Sequence, residues 1–382
     1  MATNSTGQSK GSKAKESKED EYGKKYISYT LLSPELSHST ERATCRVKIP
    51  SDDLSAAYDP PASVDQSVVL VVKNASDIHC IKLMRDCVHT NILHAVAFAE
   101  KDSYIQVWTE QYSDQLVTYL ESTAFWTSNI KKVSGQELML PTNIQNIISQ
   151  IFDGFEQLRL IGKYHGNFKL DNTYYHKVGR EIVVKLTDFK LKDARIPAAT
   201  HQAHDVQAVG VGLEYISKTA KARKGKGQTF DCHLIDDLAK RLREFVGGDL
   251  PYINQEIKGH PFFWDKKSTK MFFVSEVPLA LNSPATRAKI AGCNKLCSLP
   301  WGTGTDGYSG YVKLMDDYRS RNKLDNYDKT SRLGYVQFLS GLYTHEHELQ
   351  GGVSVDDVVR EKNPRIFLIL YDLIPREREA PN

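Results

Sequence analysis

HGNFKLDNTYY (165–175), followed after one strand-like run by VKLTDFK (184–190), decides how this chain reads. The first stretch sets His165, Asn167, Lys169 and Asn172 along a short loop, and the second ends on the pair Asp188 and Phe189. Asn172 and Asp188 each carry a side-chain oxygen. Asn167 heads the loop, and a carboxamide has no basic lone pair with which to take a proton at neutral pH.

Outward from that stretch, composition describes an ordinary globular chain. Its 382 residues leave room for about two to three domains. A net charge of +3 is too small to argue for nucleic acid. The chain has no apolar run long enough to span a bilayer and no apolar N-terminal signal segment, so a soluble protein of the cytoplasm or nucleus is expected, without membrane contact. The six cysteines include no CxxC pair, and reduced thiols are the simplest reading. Residues 1–25 are rich in Ser, Lys, Gly and Glu and cannot bury enough apolar surface to offset ordering entropy, so they read as a disordered tail.

The loop resembles the active-site core of protein kinases, whose pattern H-R-D-L-x-x-x-N uses the aspartate as proton acceptor and the asparagine for magnesium. Asn167 stands at the aspartate position, while Lys169 and Asn172 stand where the pattern wants them. The rest falls in kinase order. Val68–Val72 is a β-branched run ending in Lys73, the position of the phosphate-holding lysine. The glutamate that should pair with it falls near His79, and no G-x-G-x-x-G occurs between Lys25 and Val64. A strand at Tyr104–Trp108 leads to a hinge at Glu110, Gln111 and Tyr112. Ile144, Ile147, Ile148, Ile151, Phe152, Phe155 and Leu158 form one apolar stripe at helical spacing. Asp188 and Phe189 match D-F-G with Lys190 in place of the glycine, and Asp205 opens a buried helix at Val206–Ile216. The segment between Asp188 and Asp205 is too short for an activation loop. Base, helix glutamate and phosphate clamp are missing, which implies a pseudokinase. Weak binding of ATP or ADP through Lys73, Asn172 and Asp188 is left open.

HPFFW (260–264) closes the kinase-like part, and the chain runs on without linker composition. This junction, the segment GTGTDGYSGYVKLMDDYRSRNKLDNYDK (302–329) and the closing SVDDVVREKNPRIFLILYDLI (354–374) resemble the kinase-extension nuclease domain of the inositol-requiring sensor of the unfolded-protein response and of ribonuclease L. The resemblance implies an α+β chain: a two-lobed protein-kinase-like fold over 26–262, then an all-α nuclease-like domain over 263–382. It also implies metal-independent RNA cleavage, in which the ribose 2′-hydroxyl attacks its own phosphate, by a back-to-back dimer. Carried over by position, Tyr308 is a proton-transfer group, and Arg321 and Asn322, the latter fourteen residues on from Tyr308, contact phosphate. The family's histidine falls four residues after Asn322, at Asn326, which can hydrogen-bond but not protonate a leaving oxygen. Met315 stands where relatives carry an acid, with Asp316 beside it.

His345 and His347, in THEHEL (344–349), could fold back to supply the acid, although two histidines in an exposed polar loop are more often bystanders. A metal site there is the weaker reading, because i, i+2 spacing alone says little. The helical stripes Tyr311, Leu314, Met315, Tyr318 and Tyr335, Phe338, Leu339, Leu342 would serve a compact helical domain without catalysis equally well. Two function classes follow: a regulatory protein that forms a homodimer, or a heterodimer with an active relative, in RNA processing or stress signalling; or an endoribonuclease that binds and cuts RNA.

Overall fold

The computed structural model describes residues 28–31, 42–50, 63–74, 77–100, 104–127, 137–141, 143–179, 181–190, 197–223, 229–246, 257–303, 308–349 and 354–375. The tail read at 1–25 lies outside them. Strand and helix are mixed, with helix predominating. The chain divides into two compact units, Met1–Leu120 with Ile147–Asp205, and Glu121–Asn146 with Val206–Asn382.

In the first unit the β-branched run lies in the strand Ser63–Asn74, the middle of a five-stranded antiparallel sheet. That strand pairs with Arg42–Pro50 on one side and Tyr104–Thr109 on the other, with Lys73 opposite Ile105. The helix Ile78–Asp86 follows and buries Ile81 and Met84. A smaller antiparallel sheet joins Asp114–Gln115, Thr173–Val178 and Glu181–Leu186, so the 165–175 loop runs directly into a strand whose partner delivers Asp188.

The helix Asn143–Leu160 carries the predicted stripe, and every member of it is buried. On the same helix Gln150 meets Asn91. Asn91 donates to the Gln150 oxygen at 2.9 Å and to the Val184 carbonyl at 3.2 Å, while Gln150 donates to the Ile182 carbonyl and accepts from the Val184 N–H, both at 2.8 Å. The buried Asn91 amide is thus answered, and left unanswered it would cost about 1–3 kcal/mol. At Gly154 a Cβ would stand 2.5 Å from the end of the Leu186 side chain, so a larger residue there would force Leu186 to shift.

In the second unit, His233–Arg243 buries Ile235, Leu238, Ala239 and Leu242 on one face. The HPFFW segment folds as a tight turn. His260, 1% exposed, accepts from the Phe262 N–H at 3.1 Å and meets Asp237 at 3.1 Å, while the Trp264 indole N–H donates to the Gly259 carbonyl at 2.9 Å. From Trp264 on, described residues form helices around one apolar cluster that includes Trp301, Tyr335, Phe338, Leu339 and Phe367. Their starts are set by capping side chains: Asp265, Ser283, Ser331 and Ser354 each accept a backbone N–H from the first turn. The stripe Tyr335, Phe338, Leu339, Leu342 is wholly buried on the helix Arg332–Thr344.

One boundary differs from the sequence reading. The helix expected at Val206–Ile216 spans Ala198–Ala222, so Asp205 lies inside it rather than at its start. Ala198, Ala199 and Ala203 favour helix, and Pro197 stands just ahead of the first turn, where a missing N–H costs nothing.

Candidate functional site

In the first unit the loop is held from beneath by a carboxylate. Asp205 accepts from the His165 N–H at 2.9 Å and the Gly166 N–H at 2.8 Å. Burial pushes its pKa up to about 6, against the pull of those two bonds. The His165 ring sits edge-on among Phe155, Phe168 and Phe189, fully buried, and that burial drives its pKa down to about 3. Gly166 turns at a φ of +65°, where an L side chain is strained.

Above this base the structure brings the three predicted ligand-type residues together. Lys73 Nζ donates to Asp188 Oδ1 at 2.7 Å, with both side chains about a quarter to a third exposed (25% and 30%). Asn172 donates to the Asn167 carbonyl at 2.7 Å and accepts from the Lys169 N–H at 2.9 Å. Asn167 donates its own amide to the Asp188 carbonyl at 3.2 Å. The Asn167 side chain is thus a donor, tied back to the Asp188 backbone. Asp188 adopts a φ of 59°, a left-handed conformation that Asp tolerates better than most residues.

Two further pairings were not legible in the sequence. The helix residue beside the pair is Cys80 rather than His79, which is exposed; burial first, then the Asp188 charge, raises the Cys80 thiol to about 12. Glu110, read as part of a hinge, grips the buried Lys185 through both oxygens at 2.9 Å and accepts from the His94 N–H at 2.8 Å. Neither pairing has a local sequence signature, because each joins strands or helices distant in the chain.

In the second unit the predicted residues separate. Tyr308 is 2% exposed and precedes the helix Ser309–Arg321, packed against the rings of Tyr335 and Phe338. With Val312 and Met315 it forms an i, i+4, i+7 stripe, and that spacing explains its inward turn. Arg321 and Asn322 end the same helix, exposed, about 20 Å further along its axis. Asn326 is exposed just beyond, within 3.4 Å of Ser320 Oγ. Met315 is core, and Asp316 pairs with Lys329 at 3.0 Å.

At the Arg321 end a different group of side chains meets. The His345 ring lies on the Tyr318 ring, centroids 4.1 Å apart, and its Nδ1 meets Glu348 at 2.7 Å. The His347 ring is 6.4 Å from that of His345. Asn322 donates to the Tyr318 carbonyl at 2.8 Å. Among the described residues no cluster of His, Cys, Asp and Glu could hold a metal ion, and no helix is long and apolar enough to cross a membrane.

No protein-family model matches the chain, and no curated protein matches it. Among solved structures, it is similar to the crystal structure of Rad53 1-466 in complex with AMP-PNP, at 12% identity and a TM-score of 0.39. The likeness covers 62% of this chain and 65% of that one.

Proposed function

We propose that this protein is a pseudokinase joined to a kinase-extension nuclease-like domain, acting as a regulatory, dimerising partner in RNA processing or unfolded-protein-response-like signalling. The observation that carries the first half is the fate of Asn167. Where phosphoryl transfer needs a carboxylate to accept a proton, its amide donates to the backbone of Asp188. Lys73 and Asp188 answer each other directly, so nucleotide and magnesium would have to part an ion pair before binding. ATP or ADP is held weakly if at all, and no label passes from radiolabelled ATP to the chain or to peptides.

For the second half, Arg321 and Asn322 stand exposed at a helix end with two hydrogen-bonding side chains suited to a phosphate. Asn326, at the family's acid position, cannot give a proton, and loss of one general acid costs about 10²–10⁴-fold in rate. The purified chain is therefore expected to cut stem-loop RNA slowly or not at all, and Asn326→His to raise the rate. No gain in a folded Asn326→His variant would remove Asn326 from the site.

One observation favours the second reading, an active metal-independent endoribonuclease. A histidine ring lies on Tyr318, one helical turn before Asn322.

A further inference from the structure

We infer that Tyr174 decides what the Lys73–Asp188 site admits: its ring stands where a nucleobase would have to lie, so nucleotides are turned away, and a smaller residue there would let them in. This rests on the pseudokinase reading above and names the side chain that does the excluding.

The site has two ends. Lys73, Asn172 and Asp188 come together at one of them. Four residues of strand, about 13 Å, separate Lys73 from Val69, which pairs with Thr109, so the Glu110–Tyr112 segment marks the other end. A nucleotide with its phosphates on Lys73 and Asp188, and its base against that segment, would lay its ribose and base along this line.

Tyr174 already stands on it. It follows Asn172 by two residues and lies opposite Lys185 in the ladder between Thr173–Val178 and Glu181–Leu186, so the two side chains share one face of that sheet. Both engage the same segment. Lys185 grips Glu110, and the half-buried Tyr174 ring packs on the buried Tyr112 ring, centroids 4.4 Å apart. The Tyr174 phenol is also near enough to Lys73 to act on its amine. Burial, the largest influence there, works against the charge, whereas Asp188 and then Tyr174 favour it, and the pKa ends above the ordinary lysine value. One side chain therefore serves both ends of the line. Backbone pairing of Tyr174 with Gln115 holds its strand in place, so a base can enter only after the ring swings aside. Where a small fraction of molecules has the ring aside, apparent affinity falls by that fraction.

The test is titration of a fluorescent ADP analogue, with magnesium, into the full chain beside Tyr174→Leu, Tyr174→Ala and Tyr174→Phe, with circular dichroism confirming each fold. The unmodified chain and Tyr174→Phe, which keeps the ring, should show no saturable binding. Tyr174→Leu and Tyr174→Ala should bind tighter by about tenfold or more, and lose the gain when Lys73→Ala is added. Folded Leu and Ala variants that bind no better would overturn the proposal, and so would saturable binding by Tyr174→Phe. A second measurement needs no variant: ADP at millimolar concentration should leave the melting temperature of the unmodified chain unchanged, and a rise would overturn the proposal by itself. Transfer of label from ATP by the unmodified chain is a separate outcome, which would sink the pseudokinase reading and the proposal with it.

Discussion

At the scale of single residues, His165 and Asp205 place two opposed titrations in one loop. Burial holds His165 near 3 against an unfolded value of 6.5, so the folded chain binds fewer protons there. The stability this gives is complete above about pH 6.5 and is lost as pH falls towards 3. Asp205, raised to about 6 from 3.8, has the other sign: its contribution is complete below pH 3.8 and is lost as pH rises through 6. A simple pH scan would mix the two, whereas a comparison with His165→Phe separates them. Between pH 7 and 5 the unmodified chain should lose about 2 kcal/mol relative to that variant in urea denaturation. Equal slopes for the two proteins would show the imidazole to be solvated.

Among helices, packing turns on a few glycines. A Cβ at Gly334 would stand 2.1 Å from the Asp328 carbonyl oxygen, a backbone atom that cannot swing away, whereas one at Gly310 would meet nothing within 4 Å. Gly334→Ala should therefore cost about 1–3 kcal/mol. Gly310→Ala, on the helix Ser309–Arg321, should gain about 0.5–1 kcal/mol. Thermal melts of the two variants moving in the same direction would contradict this packing. Elements with a clear period were legible in the sequence, as the stripes from Ile144 to Leu158 and from Tyr335 to Leu342 show. Tyr308 was placed by spacing to a distant asparagine, and its own i+4 and i+7 neighbours, Val312 and Met315, turn it into the core instead. His345 was named as a possible acid, but where it sits was not legible. Its place depends on Tyr318, Glu348 and the Lys270–Glu346 tie, which no window of sequence contains.

For the whole molecule, the proposed architecture carries an expectation about assembly. A symmetric dimer places the same patch on both copies, and cyclic twofold pairing is the commonest closed form. Residues 26–382 should self-associate, or pair with a catalytically complete relative, at concentrations on the order of tens of micromolar. Light scattering that reports only monomer, with no relative recovered by affinity capture, would count against the regulatory reading.

The Lys73–Asp188 pair has a consequence for measurement as well as for binding. Beside it, the Cys80 thiol is held to about 12 and is almost wholly protonated at neutral pH, hence unreactive. Parting the pair would move the Asp188 charge away and admit water to the sulfur, lowering that value towards an ordinary thiol. The rate at which Cys80 takes up an alkylating reagent therefore counts the openings of this ion pair, as slow amide exchange counts the openings of a helix. A nucleotide that holds the pair apart would quicken the reaction, and one that never binds would leave it unchanged.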